Sequence, residues 1–233
     1  MTDQLLRIGH RGAPRLAREN TLDSFRLALV AGLDGLETDV QRTADGALVL
    51  HHDAVLSDGS FIATMDAATL RSTAPDVPHL DDLLSVMRDF PSARLNLEVK
   101  SAAPYDDTRA ADVSRAVAGW PADVVLRTWF STFDPLLLLS LQESLAAEGI
   151  DVPLAFLVAS ATSLRLLPVL PVAAVHPHHS LVNGARVRAW HADGLKVYTW
   201  TVNDADLAQR LLDDGVDGLI GDVPELLLEA RTT

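Results

Sequence analysis

The stretch that decides the fold is Asp34-Gly35-Leu36-Glu37-Thr38-Asp39-Val40, followed by Asp45-Gly46-Ala47-Leu48-Val49-Leu50-His51-His52-Asp53. Leu36, Thr38 and Val40 alternate with Glu37 and Asp39, the period-two pattern of a strand. Positions i and i+2 of a strand point the same way, so the two carboxylates share one face. Burying carboxylates side by side is costly unless a cation neutralises them. After a turn at Asp45-Gly46, a second apolar run delivers His52. Two acids on one strand face, with an imidazole from the next segment, suggest a hard-metal hydrolytic site.

Working outward, Leu5–Gly9 reads as a first strand ending at His10-Arg11-Gly12, and Asn20 or Thr21 caps a helix running through Val30. The segment from His52 to Thr73 reads as irregular. Leu80–Phe90 is helical, Arg94–Lys100 is another alternating strand, and a helix spans about Asp107 to Ala118. Further strands are expected at Val124–Thr128, Val152–Val158, Val172–Val175, Lys196–Thr201 and Gly218–Ile220. Between them fall helices at Pro135–Ala147, Thr162–Leu167, Asn183–Ala192 and Asp204–Asp213. Strands alternating with helices signal parallel βα units, and no linker divides them. The expectation is an α/β chain forming a single (β/α)₈ barrel of the TIM type over residues 1–233. A doubly wound open sheet is the structural alternative. Polar residues favour the barrel, because His10, Glu37, Asp39, Glu98, Lys100 and Trp200 all fall near carboxyl ends of expected strands. Barrel active sites are built there.

The composition narrows the chemistry. The chain has 233 residues and is 48% hydrophobic, enough for a sizeable core. It contains no cysteine, so a metal would be held by O or N ligands. A net charge of −13 argues against general nucleic-acid binding and requires a local positive site for any anionic substrate. No apolar run approaches membrane-spanning length, and Met1-Thr2-Asp3-Gln4 lacks a signal-peptide pattern. A cytoplasmic location without stable membrane insertion is expected.

Each candidate residue has a plain reading beside the functional one. His10 is either a hydrogen-bonded structural residue or a proton-transfer group, and Arg11 beside it can grip a phosphate through two donors. An isolated Glu-x-Asp is usually a solvated strand face, but Glu98 repeats the pattern on the next barrel strand, with Lys100 on its face. Three carboxylates at one barrel mouth repel without a divalent ion, and oxygen-only ligands point to Mg²⁺ or Ca²⁺. Lys100 is either an ion-pair partner or a phosphoryl-oxygen ligand. His51 and His52 face opposite ways in extended chain, so one of them enters the site. Trp200 is core or pocket wall. Glu19-Asn20-Thr21 most simply opens the first helix, and His176-Pro177-His178-His179 reads as a loop with His176 a candidate substrate contact.

His10-Arg11-Gly12, Glu19-Asn20-Thr21, Glu37-x-Asp39, Asp45-Gly46, His52-Asp53, Glu98-x-Lys100, Trp200-Thr201-Val202-Asn203 and Gly215-Val216-Asp217-Gly218 together resemble the glycerophosphodiester phosphodiesterase family. The ordered set runs from about residue 8 to 225. The resemblance implies a TIM-type barrel with a divalent cation held by Glu37, Asp39 and Glu98, and two acid/base histidines, His10 and His52. Arg11 and Lys100 would contact the phosphate, and Trp200 would line the alcohol side. It implies hydrolysis of a small-molecule glycerophosphodiester to glycerol 3-phosphate and an alcohol, a step of glycerol and lipid metabolism. The chain departs from the family pattern at three places. A basic residue after His-Asp is absent, Gly221-Asp222 replaces Thr-Asp, and the segment between Asp53 and Pro78 is short. These bear on substrate range.

Rival readings are a lysophospholipase-D-like relative, a silent barrel that only binds a phosphodiester, and a metal-dependent aldolase or enolising barrel. The first wants an amphipathic basic stretch, which is not visible. The second would be expected to have lost one of the five catalytic candidates, all of which are present. The third has Lys100 alone to offer for carbon chemistry.

Overall fold

The computed structural model describes residues 5–101 and 108–230. Residues 1–4, and Asp107 at the expected start of one helix, lie outside the described residues. Among the described residues nine strands form one sheet: β1 (Leu6–His10), β2 (Gly35–Arg42), β3 (Leu48–Leu50), β4 (Arg94–Val99), β5 (Thr128–Thr132), β6 (Leu154–Val158), β7 (Ala174–Pro177), β8 (Lys196–Thr199) and β9 (Gly218–Gly221). β1 pairs in parallel with both β2 and β9, so eight parallel strands close on themselves. That closure excludes the open doubly wound sheet. β3 is the exception, an antiparallel strand laid on the far half of β2.

The described helices are α1 (Leu22–Val30), α2 (Ala67–Thr73), α3 (Leu83–Asp89), α4 (Thr108–Ala118), α5 (Ala122–Val125), α6 (Pro135–Ala147), α7 (Gly184–Ala192), α8 (Ala205–Asp213) and α9 (Pro224–Glu229). Their starts follow local chemistry. The side chains of Thr21, Asp66, Asp134, Asn183 and Asp204 each accept a backbone N–H of the first turn.

Strand alternation divides the core into two shells. Outward residues such as Leu36, Val40, Leu95, Leu97, Phe130, Val175 and Leu219 are buried against the helices. Inward residues Leu6, Ile8, Trp129, Ala155, Ala174, Tyr198 and Ile220 fill the barrel below its mouth. Each deletion of a buried Leu or Ile to Ala in such packing costs about 2–5 kcal/mol.

Several expected boundaries move. The strand expected at Val124–Thr128 is a helical turn, α5, and the true strand begins at Thr128. Pro121 starts that turn, its carbonyl accepting from the N–H groups of Val124 (2.9 Å) and Val125 (3.1 Å). Two adjacent valines therefore serve a helix, against their strand preference, because one of them, Val124, is buried. His176 and Pro177, read as loop, are the last residues of β7. The segment expected to be irregular contains α2, and Leu56, Ile62, Leu70 and Val77 bury one another with Val49 in a small separate cluster.

Candidate active site

The turn after β1 places the first group of residues. Gly12 has φ +90, and a Cβ there would stand 2.4 Å from Ser24 Oγ, so glycine is required. Arg11 itself sits in the left-handed region at φ 54, a conformation that is unfavourable without Gly and is concentrated at functional sites. The turn aims the Arg11 backbone N–H at Glu37 Oε2 (3.0 Å). It also brings its guanidinium to Asp39 Oδ2 (3.2 Å) and Glu19 Oε1 (3.0 Å).

Register assembles the carboxylates. Asp39 on β2 lies beside Glu98 on β4, and Glu37 beside Asn96. Glu37, Asp39 and Glu98 are all buried, and one oxygen of each lies within 4.8 Å of the others. Lys100 Nζ reaches Asp39 Oδ1 at 2.7 Å and also pairs with Glu98. Asn20 donates from Nδ2 to Asp39 Oδ2 (2.8 Å), while its Oδ1 accepts from Thr38 Oγ1 (2.7 Å). Glu37 Oε1 is buried without a partner. Burial and the neighbouring Asp39 charge push the Glu37 carboxyl up to about 8. Burial pushes Asp39 upward too, but Lys100 and Arg11 outweigh it and hold that carboxyl below its ordinary value. A buried oxygen left over in an all-oxygen donor set fits a hard divalent cation. A cation bound there at pH 7 would displace a proton from Glu37. Calorimetric Mg²⁺ titration in buffers of different ionisation enthalpy is expected to register net proton release, and Mg²⁺ affinity is expected to rise with pH until about 8.

Two imidazoles face these groups, each held by its own carboxylate. His10 Nδ1 lies 2.7 Å from Asp222 Oδ1, which leaves Nε2 for the cavity. Asp222 is fixed in turn by Asn203, whose Oδ1 accepts the Asp222 backbone N–H at 2.8 Å. His52 Nδ1 lies 2.7 Å from Asp53 Oδ1. His51 instead turns Nδ1 to the Asp53 carbonyl (2.8 Å), away from the cavity lining. Burial lowers the pKa of His10, but the hydrogen bond to Asp222 and the charge of Glu37 prevail and raise it. For His52, burial and the Lys100 charge prevail and lower it. The two rings therefore start on opposite sides of their ordinary value.

A cavity of about 250 Å³ opens at the carboxyl ends of the strands. Seven of the eight residues expected from sequence line it: His10, Arg11, Glu37, His52, Glu98, Lys100 and Trp200. The eighth, Asp39, is 1% exposed and stands behind the lining with the other carboxylates. Trp200 is a wall, anchored by its Nε1 donating to the His176 carbonyl (2.7 Å) and set edge-on to Phe133 (5.4 Å, 86°). His176 is a correction. Its ring is fully buried inside the barrel against Trp129 and Tyr198 and does not line the cavity. A larger open depression, about 660 Å³, lies beside the amino end of β6, and no histidine, lysine or arginine lines it.

Sequence reading missed Asp222, Asn20, Asn203 and Phe133. Asp222 had a signal: an acid directly after the last barrel strand, which closure brings beside β1. Asn20 was absorbed into the helix cap, although only Thr21 performs that task.

A closed parallel barrel with carboxylates, cations and two oriented imidazoles at its carboxyl mouth has the equipment of a phosphoryl-transfer hydrolase. Residues 10–226 match the model of the glycerophosphoryl diester phosphodiesterase family. A glycerophosphodiester phosphodiesterase of Caldanaerobacter subterraneus is 24% identical over 238 residues, covering 95% of each chain. One from Bacillus subtilis is 27% identical over 260 residues, covering 98% of this chain and 87% of its own. The structure of an Oleispira antarctica phosphodiesterase in complex with the product sn-glycerol-3-phosphate is 28% identical, with a TM-score of 0.85 over 97% of this chain and 96% of that one. The chain belongs to the glycerophosphoryl diester phosphodiesterase family, and it is an enzyme of the phosphoric diester hydrolase class.

Proposed function

We propose that this enzyme hydrolyses glycerophosphodiesters to glycerol 3-phosphate and a free alcohol, using Mg²⁺ or Ca²⁺ held by Glu37, Asp39 and Glu98 with His10 and His52 as the acid/base pair. The observation that carries the proposal is the pair of imidazoles, each oriented by its own carboxylate, in one cavity with the acidic cluster. A barrel that only bound a diester would need the cations but not two oriented proton-transfer groups. The product named in the Oleispira complex is consistent with the same substrate class here.

The cation, when bound, supplies Lewis-acid polarisation of a phosphoryl oxygen. Arg11 and Lys100 give the diester its positive contacts in a chain whose net charge repels it. One imidazole removes the proton from the attacking hydroxyl, and the other protonates the departing alkoxide. Asp222 and Asp53 hold the Nδ1 sides, so each ring presents Nε2 to the reacting atoms. Trp200 and Phe133 wall the cavity against water. Among the described residues no helix is long and apolar enough to cross a membrane. The working unit proposed is one barrel domain, residues 1–233, acting on water-soluble diesters in the cytoplasm.

The test is a substrate panel of glycerophosphocholine, glycerophosphoethanolamine and lysophosphatidylcholine, with glycerol 3-phosphate and released choline both measured. The expected result is glycerol 3-phosphate from the two deacylated diesters at rates well above that for the lysolipid. Release of choline from lysophosphatidylcholine alone would transfer the assignment to the lysophospholipase-D-like alternative.

A further inference from the structure

We infer that the carboxamide of Asn96 hydrogen-bonds a hydroxyl of the substrate's glycerol half, making it a specificity-determining residue; this rests on the phosphodiesterase reading above. Asn96 lies on β4 two residues before Glu98, so both side chains share the inward face. Its register neighbours are Glu37 on β2 and Trp129 on β5. It lines the same cavity as the two histidines, whose wall also includes the apolar side chains of Leu157 and Ile220.

Asn96 is 1% exposed, yet neither Nδ2 nor Oδ1 has a hydrogen-bond partner. Buried polar side chains in native proteins are nearly always paired, and an orphan amide carries a desolvation penalty. A donor and an acceptor left open together at a cavity wall are accounted for by a partner that arrives with the ligand. Ser114 Oγ, Trp129 Nε1, Ser131 Oγ and both nitrogens of His176 are also unpartnered but do not line the cavity, whereas Arg11 Nε and Glu37 Oε1, on lining residues, are charged groups suited to the phosphate and the cation.

The chemistry of the amide selects that partner. The phosphate is served by Arg11 and Lys100, and an amide turned to donate from Nδ2 to a phosphoryl oxygen would leave Oδ1 still unpaired. A hydroxyl both donates and accepts, which matches a carboxamide on both counts. Leu157 and Ile220, elsewhere on the same cavity wall, suit the C–H faces of a three-carbon polyol. The carboxamide is uncharged, so it adds no further repulsion to a site already holding three acids.

The experiment compares binding of sn-glycerol 3-phosphate and of propyl phosphate, the same anion without its two hydroxyls, to wild type and Asn96→Leu. Calorimetry with Mg²⁺ present gives both affinities, and thermal melting is recorded alongside. Wild type is expected to prefer glycerol 3-phosphate by roughly 10–10²-fold, and Asn96→Leu to lose about tenfold of that preference while keeping propyl phosphate binding. Melting temperature is expected to hold or rise, since the substitution removes two orphan polar atoms. Asn96→Ala, which removes the amide without refilling its space, is expected to show the same loss of preference. An unchanged preference in both variants overturns the inference, as does an equal loss of both ligands. Wild-type turnover of glycerophosphocholine is measured in parallel: if that succeeds and the preference does not move, Asn96 alone is misassigned. If it fails, the phosphodiesterase reading falls and takes this inference with it.

Discussion

Replacing His10 with alanine is expected to lower turnover of glycerophosphocholine roughly 10²–10⁴-fold, and replacing His52 to do the same, the usual range for a positioned proton-transfer group. Each ring has one nitrogen tied to a carboxylate, Asp222 or Asp53, and a second facing the cavity. The electrostatics agree, because the pKa of His10 is raised and that of His52 lowered. A pair beginning in opposite protonation states produces a rate that rises and then falls with pH, one limb from each ring. Either alanine variant should abolish one limb of that profile. The double variant should lose far less than the product of the single losses, because groups acting together are not additive. His51→Ala is the control: its ring points to the Asp53 carbonyl, so its loss should leave turnover within about threefold of wild type. A dead His51→Ala beside an active His52→Ala would mean that the wrong neighbour has been placed in the site.

The second large effect separates two carboxylates that look alike in sequence. Asp39→Asn should cost about 3–5 kcal/mol of stability as well as nearly all activity, because it strips a buried charge from Arg11 and Lys100. The folded-state pKa of Asp39 is depressed. Its stabilising contribution is therefore present above the unfolded value near 3.8 and is lost as pH falls through the folded one. Glu37→Gln should behave oppositely in the metal-free protein. Its carboxyl is raised to about 8, so its ionised form is disfavoured by the fold between the unfolded value of 4.5 and that pH. A neutral amide relieves this, and the variant should melt no lower than wild type in chelator while losing its Mg²⁺-dependent activity. Thermal melts in chelator, with activity after Mg²⁺ addition, make the comparison. Equal destabilisation by the two substitutions would contradict the assigned electrostatics.

Much of the site was legible because barrel strands write their chemistry locally. Glu37-x-Asp39 and Glu98-x-Lys100 place polar groups at fixed two-residue spacing on inward faces, and parallel register then brings the two strands level. For the histidines, alternation told only that one of His51 and His52 enters the site, and the resemblance at His52-Asp53 picked His52. What was not legible depended on contacts between distant parts of the chain. Asp222 acts on His10 across 212 positions of sequence, through the closure of β9 on β1. Asn20 looked like a helix cap because its partner Asp39 lies on a different element. The displaced β5 shows the converse: the Val124-Val125 pattern was correctly read as apolar, but Pro121 and burial turned it into helix. His176 illustrates that a histidine at a strand end can be pure interior, since it shares the inward face with Ala174 and its depth on that face keeps its ring below the cavity, against Trp129 and Tyr198.

Metal-assisted release of glycerol 3-phosphate at the Glu37–Asp39–Glu98 mouth can be put to one assay. Purified protein is stripped with chelator, dialysed, and incubated with glycerophosphocholine, with and without added Mg²⁺ or Ca²⁺, while glycerol 3-phosphate is quantified. The expected result is no detectable product from the stripped enzyme and full recovery when one of the two cations is returned. Undiminished glycerol 3-phosphate release from exhaustively stripped enzyme would contradict it.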